Sequence, residues 1–225
     1  MVATQTALDQ MPSVTAANYV LLHKASWETY ESLLADYHDQ AGPRLAYDNG
    51  VLEIKMPSIN HEISNRTLAQ LVEILVEESD LDLLRMGSTT FLRKDLLKGV
   101  EPDSCFYIQH AEKVRGKDKI DLLNDPPPDL VIEVDVTSGS LNKFPIFAAL
   151  QIPEIWRCKG EHVTIYKLEG EDYWEAERSL ALPILTDEMA TRFLAESGEM
   201  KSSVWARHVR QWVREQLDAQ QQPQS

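Results

Sequence analysis

The sequence is short of several things, and each shortage rules something out. Cysteine occurs only twice in 225 residues, at Cys105 and Cys158. Two thiols so far apart build no disulfide framework, and they argue against a structural zinc site. They are expected to be inert core thiols, and a reducing, cytoplasmic setting is the default. No apolar run approaches the roughly 18–20 residues that span a bilayer, so no membrane partner is expected. The opening residues MVATQTALDQMPSV lack a basic segment followed by an apolar one, so no secretory signal is read there. Basic residues are outnumbered, 22 Lys and Arg against 36 Asp and Glu, for a net charge of −14. That sign is wrong overall for a surface built to hold phosphates, although a local basic groove can sit on an acidic molecule. There is no internal repeat.

What is present has ordinary globular composition, 43% hydrophobic and 26% charged. Residues 1 to about 15 carry no pattern. Ser26 caps a first predicted helix with apolar residues at 27, 30, 33, 34 and 37. In RLAYDNGVLEIKMP, Asn49-Gly50 signals a two-residue turn, and Leu52, Ile54 and Met56 alternate with polar positions, which predicts a hairpin. An amphipathic helix follows, with Leu68, Leu71, Val72 and Leu75 on one face. DLLRMGSTTFLR and PDSCFYIQ read as short strands, and a charged, Pro-terminated loop comes next. PPDLVIEVDVTS is a strand, NKFPIFAALQI a helix, and EIWRCKGEHVTIYKLEGEDYWEAERS two or three strands. TDEMATRFLAES, closed by Gly198, and SSVWARHVRQWVREQL are two last helices. This order predicts a mixed α/β or α+β domain around one sheet.

Chemistry concentrates in PPDLVIEVDVTSGSLNKF, residues 127–144. Side chains alternate along a strand, so Leu130, Ile132, Val134 and Val136 share one face while Val131, Glu133 and Asp135 share the other. Glu133 and Asp135 are then about 7 Å apart. A buried unpaired carboxylate is costly, so a metal, lysine or arginine is expected opposite. In EPDSCFYIQ, Asp103 shares a face with Cys105 and Tyr107, and Phe106 and Ile108 take the other. If the two strands are neighbours, Asp103 and Glu133 converge. Oxygen ligands of this kind suit Mg²⁺ or Mn²⁺.

An acid on one strand, an acid inside an apolar strand and then a lysine resemble the PD-(D/E)xK nuclease superfamily. Residues 44 to 185 resemble, more closely, the Uma-two family of bacterial restriction endonucleases, through YDNGVLEIKMPSINHEISN, EPDSCFYI, PDLVIEVDVTS, NKFPIFAALQIPEIWR and VTIYKL. The resemblance implies a restriction-endonuclease-like core, with a mixed central sheet flanked by helices, and Mg²⁺-dependent cleavage of DNA phosphodiesters. It implies Asp103 as the first acid and Glu133 as the second. Asp135 stands where the superfamily places its lysine, and Lys143, in the following helix, is the matching position. Glu62, beside His61, matches an acid that some members carry on an early helix. The implied metal ligands are Asp103, Glu133 and Asp135, with Glu62 reaching the same metal through water, Lys143 orienting the attacking water, and Asp135 alternatively a partner for Lys143. The expected organisation is an irregular segment at 1–25, the nuclease domain at 26–185, a helical extension at 186–218 and a disordered tail at 219–225.

Simpler readings stand beside these. Glu133 can belong to a structural ion pair. Asp103 follows a proline, where acids are common turn residues. Lys143 can be a surface lysine, His61 a helix cap and Glu62 a complement to the helix dipole. In the last helix, Arg207, Arg210 and Arg214 can meet DNA phosphates or the chain's own acids. Trp205, Val209 and Trp212 can pack against the core or against a second subunit of a homodimer. Two functions stay open: a metal-dependent endonuclease, or a non-catalytic member of the same fold acting as a binding or assembly module.

Overall fold

The computed structural model describes residues 18–37, 42–135 and 140–221. Val136 and Gly139, the unpatterned residues 1–15 and the end of the expected tail lie outside them. Among the described residues the chain forms eleven strands and six α-helices. The first half runs β1 (Tyr19–His23), α1 (Trp27–Asp36), β2 (Arg44–Asp48), β3 (Val51–Lys55), α2 (Ile59–Glu78), β4 (Leu84–Gly87), β5 (Phe91–Arg93), β6 (Lys98–Val100) and β7 (Ser104–Tyr107). The second half runs α3 (Ala111–Val114), β8 (Leu130–Asp135), α4 (Phe144–Ala149), β9 (Glu154–Lys159), β10 (His162–Glu169), β11 (Asp172–Ala176), α5 (Asp187–Glu199) and α6 (Ser202–Gln221).

The strands make two sheets, not the one that the sequence suggested. Five form an antiparallel sheet in the order β1-β3-β2-β6-β5, and six form a mixed sheet in the order β11-β10-β9-β8-β7-β4. The chain leaves the first sheet after Val100 and re-enters the second at Ser104. Pro102, which has no N–H for a ladder, lies between them. β1 falls inside the stretch expected to be irregular and pairs antiparallel with β3. The Asn49-Gly50 turn is as expected, with both residues at positive φ (45° and 90°), as a tight hairpin between β2 and β3 requires.

β8 and β9 are the parallel pair of the mixed sheet, and α4 makes the crossover between them. β8 also pairs antiparallel with β7, Ser104 opposite Ile132. The alternation read from sequence holds. Phe106, Ile108, Leu130, Ile132 and Val134 pack on one side with α2, α5 and α6, through Leu68, Leu71, Leu75, Phe193, Trp205 and Val209. Cys105, Tyr107 and Val131 pack on the other side with Ile146 and Phe147 of α4 and with Ala46, Phe91 and Val100 of the first sheet. α1 covers the far face of that sheet, with Trp27 and Tyr30 against Leu45, Tyr47 and Leu52. The acid-bearing face of β8 therefore looks into the layer between the two sheets.

Two expectations about helix ends are corrected. α5 runs through Gly198 to Glu199 and ends at Met200 in extended backbone, because Gly198 does not adopt the left-handed conformation of a glycine cap. α4 begins at Phe144, with Pro145 in its first turn and Lys143 at the N-cap. On α6, Arg207 is exposed, while the tryptophan face turns inward. Trp205 and Val209 are buried, and Trp212 lies edge-on to Phe193 at 5.3 Å. Arg210 and Arg214 bind Glu78, and Arg210 also binds Glu77. Both cysteines are free and buried, and burial pushes their thiols up, Cys105 to about 12 and Cys158 to about 11.

Candidate active site

The antiparallel β7/β8 register brings Asp103, just before β7, beside Glu133. Asp103 and Glu133 are 3% and 4% exposed, and Lys143 is 8% exposed. The Lys143 Nζ donates to Glu133 Oε2 at 2.8 Å. The lysine comes from the N-cap of α4, beyond the C-terminal end of β8, where ligands of α/β sheets gather.

Asp103 is held from two directions. Its Oδ2 accepts the Val134 N–H at 2.8 Å and bonds His61 Nε2 at 2.9 Å. A carboxylate can only accept, so the histidine carries its proton on Nε2. Asn65, one turn along α2, donates to the Asp103 carbonyl at 3.1 Å, and the Ser104 hydroxyl donates to Asn65 Oδ1 at 2.9 Å. His61 is itself seated by the Ser58 cap, whose Oγ accepts the His61 N–H.

A second strand contributes two further charges. Glu53 and Lys55 of β3 are 1% and 5% exposed. Lys55 Nζ donates to the Val134 carbonyl at 3.1 Å, and Glu53 Oε2 accepts the Leu141 N–H at 2.7 Å. Among the described residues the site thus gathers three carboxyl groups (Glu53, Asp103, Glu133) and two lysines (Lys55, Lys143), with His61 alongside.

Electrostatics separates the acids. Burial pushes Glu133 up to about 7; Lys143 pulls against that, and the Asp103 charge adds to it. Burial acts the same way on Asp103, but the His61 hydrogen bond and the Lys143 and Lys55 charges outweigh it and hold the carboxyl well below its ordinary range. Burial alone would weaken the Lys143 ammonium; Glu133, Asp103 and Glu53 overturn that and hold its pKa above the ordinary lysine value. Glu133 and Asp103 thus behave as a coupled pair of carboxyls that resists double ionisation, with the charge resting on Asp103.

Of the residues expected from sequence, the structure brings Asp103, Glu133 and Lys143 together. Asp135 points to the neighbouring strand, where Arg157 binds its Oδ2 at 2.6 Å, so it does not pair with Lys143. Glu62 faces outward and binds Arg66 at 2.6 Å. Four further residues at the site, His61, Asn65, Glu53 and Lys55, carry little sequence signal. His61 and Asn65 precede Leu68 and Val72 on the buried face of α2, and two polar residues on a core face are a signal that could have been read. Glu53 and Lys55 occupy the polar positions that alternate with Leu52, Ile54 and Met56 in the hairpin, a pattern that does not mark them as site residues. Nothing local distinguishes these two, because it is the second sheet that buries them.

Whether a cation fits can be asked of the unmatched atoms. Asp103 Oδ1 and Glu133 Oε1 are buried and have no hydrogen-bond partner among the described residues, each on a carboxylate whose other oxygen is already engaged. Such atoms are costly unless something meets them. Among the described residues no three or more His, Cys, Asp or Glu side chains gather as a metal cage. Mg²⁺ does not need one, since one or two carboxylates with waters and substrate oxygens suffice. The donor set therefore fits a hard divalent cation shared with substrate.

No curated protein matches the chain. The chain is similar to a solved structure described as "a putative nuclease belonging to DUF820" from Anabaena variabilis ATCC 29413, with 13% identity and a TM-score of 0.45, over 72% of this chain and 98% of that one. Among the described residues no helix is long and apolar enough to cross a membrane. The Uma2 family, described as "Putative restriction endonuclease", matches residues 27–192, and with about three quarters of its length inside that span the chain belongs to the Uma2 family.

Proposed function

We propose that the chain is an endonuclease that hydrolyses DNA phosphodiester bonds with a divalent cation, Mg²⁺ or Mn²⁺ in its place, held between Asp103 and Glu133. The observation that carries this reading is the pair of buried oxygens without a partner among the described residues, Asp103 Oδ1 just before β7 and Glu133 Oε1 on the adjoining β8, with a lysine beside them. When bound, the cation supplies Lewis acidity toward the phosphate and a more acidic water.

The remaining work falls to the chain's own groups. His61 and the Val134 amide fix Asp103 through Oδ2, so that Oδ1 keeps one orientation. Lys143 does the same for Glu133 through Oε2. During hydrolysis an oxygen–phosphorus bond forms to water, the bond to the departing oxygen breaks, the water gives up a proton and the departing oxygen gains one. Negative charge builds on the phosphoryl oxygens in between, and the Lys143 ammonium is the fixed charge placed to meet it. The family description supports a nucleic-acid substrate.

A second reading, a binding module of the same fold, has one observation on its side. The three side chains are almost wholly buried, and Lys143 and Glu133 already satisfy each other in part, as a structural ion pair would. Incubation of the full chain with supercoiled plasmid and Mg²⁺ or Mn²⁺ separates the two. The endonuclease reading expects nicking that EDTA, Asp103→Ala and Glu133→Ala each abolish, together with a calorimetric Mn²⁺ signal that both variants lose. Absence of cleavage on double- and single-stranded DNA and on RNA would leave the binding module standing.

A further inference from the structure

Lys143 reaches Glu133 only if the start of α4 is held in one place, because the ammonium sits on the N-cap residue itself. Inside α4, Ile146 and Phe147 donate their N–H groups to the Lys143 carbonyl at 2.9 Å, which ties Lys143 to its own helix. Phe144 packs this end of the helix against Tyr166 and Tyr173 of the second sheet, and Glu53 ties it to the first sheet. The Glu53 Oε2 accepts the Leu141 N–H at 2.7 Å across 88 residues of sequence. Two positions along the same strand, Lys55 binds the Val134 carbonyl. One strand of the first sheet thus grips the chain at Val134 and again at Leu141, on either side of residues 136–139.

We propose that Glu53 is a positioning residue for Lys143: by accepting the Leu141 N–H it fixes where α4 begins, and so where the Lys143 ammonium meets Glu133. This rests on the nuclease reading for its purpose and on the contact geometry for its substance. A buried carboxylate is an expensive way to hold one amide, since a neutral acceptor would serve the bond alone. The charge has a second use. Glu53 is among the acids that keep the Lys143 ammonium charged. Its Oε1 is buried without a partner among the described residues, so the bond to the backbone engages one oxygen alone.

A merely structural acid would contribute stability and nothing more, so the test reads position directly. Hydrogen exchange at the Leu141 amide and acylation of Lys143 by an amine-reactive ester, both followed by mass spectrometry on the full chain, need no catalytic activity. Glu53→Asp keeps the charge but withdraws the carboxylate by about one bond length, and Glu53→Ala removes it. Both are expected to speed Leu141 exchange and Lys143 labelling on the order of tenfold or more, the scale of a charge-assisted hydrogen bond. Exchange at Ile132 in β8 should stay as in the parent, which certifies the fold. Glu53→Gln retains an acceptor and should keep the Leu141 amide protected to within about threefold of the parent. In the cleavage assay, Glu53→Asp should lower kcat by about tenfold or more and leave KM within about twofold, since the lysine acts on developing charge.

Parental protection at Leu141 and Lys143 in a folded Asp or Ala variant would overturn the proposal. So would loss of that protection in a folded Gln variant, or an unchanged kcat in a variant whose Lys143 has become reactive. If Glu53→Ala fails to fold, the Asp and Gln variants decide the matter. A parent that cleaves nothing refutes the nuclease reading separately, because exchange and labelling still report whether Glu53 holds Lys143.

Discussion

Glu133→Gln is the substitution for which the structure dictates both a sign and a size. Glutamine is nearly isosteric with a protonated glutamic acid, so the variant mimics the parent with a proton fixed on residue 133. In the native state burial pushes the parent's carboxyl from an ordinary 4.5 to about 7. A carboxyl with a raised folded pKa binds its proton more tightly when folded than when unfolded. The parent should therefore lose stability as pH rises from about 4.5 through 7, while the variant has nothing at this position to titrate. At roughly 1.4 kcal/mol per pH unit the penalty above pH 7 is about 3 kcal/mol. At pH 5 the two proteins should unfold within about 1 kcal/mol of each other in urea, and at pH 8 without metal the variant should be the more stable by up to about 3 kcal/mol. Mn²⁺ should invert the order at pH 8, since the cation stabilises only a chain that can offer the second carboxylate. Cleavage should be lost in the variant at every pH. A variant less stable than the parent by about 3–5 kcal/mol at pH 8 would refute the reasoning, because that is the cost of breaking a buried pair whose acid was ionised from the start.

Other expectations follow from particular contacts. Lys143→Met should cut metal-dependent cleavage by on the order of 10²-fold and leave the Mn²⁺ titration intact, because the acids remain; parental cleavage would move the role to Lys55, the other buried lysine at the site. Gly99→Ala should destabilise the chain by about 1–3 kcal/mol in a urea titration, because a Cβ there would lie 2.5 Å from the buried Tyr30 ring. Glu154 accepts from Trp156 Nε1 and from the Leu180 and Ala181 amides, so Glu154→Gln should turn an amide N–H toward a donor and cost about 1–3 kcal/mol. Burial raises the Glu154 carboxyl's pKa despite those bonds, so the parent loses stability as pH rises past the ordinary carboxyl range, and the variant's deficit should narrow in urea titrations at higher pH.

Legibility in the sequence followed the reach of local pattern. The β7 and β8 faces could be read because alternation is a property of one strand. It correctly sent Phe106 and Ile132 to one side and Cys105 and Val131 to the other. The approach of Asp103 to Glu133 needed only one further assumption, that the strands are neighbours. Lys143 came from resemblance, because a lysine ten residues past the acid has no periodic tie to it. Glu53 and Lys55 were illegible for the opposite reason: their alternation with Leu52 and Ile54 is what a solvent-facing hairpin also shows. Met56 was grouped with Leu52 and Ile54, yet it is 57% exposed, since β3 has ended by then. The division into two sheets was not visible either, because strand count says nothing of which ladders join.

The matched family span ends at residue 192, inside α5. The hydrophobic cluster does not end there. Phe193, Trp205, Val209 and Val213 share one apolar body with Leu68, Leu71 and Leu75 of α2, and Arg210 and Arg214 fasten the far end of that helix through Glu78. α2 is a beam of twenty residues, about 30 Å long, with His61 against Asp103 at one end and these arginines at the other. A protein trimmed to the recognisable span would strip the cover from the beam's middle and unpin its far end. The part of the chain that looks like an appendage to its family is thus a foundation, and its loss would be felt first as disorder at a histidine more than a hundred residues away in sequence.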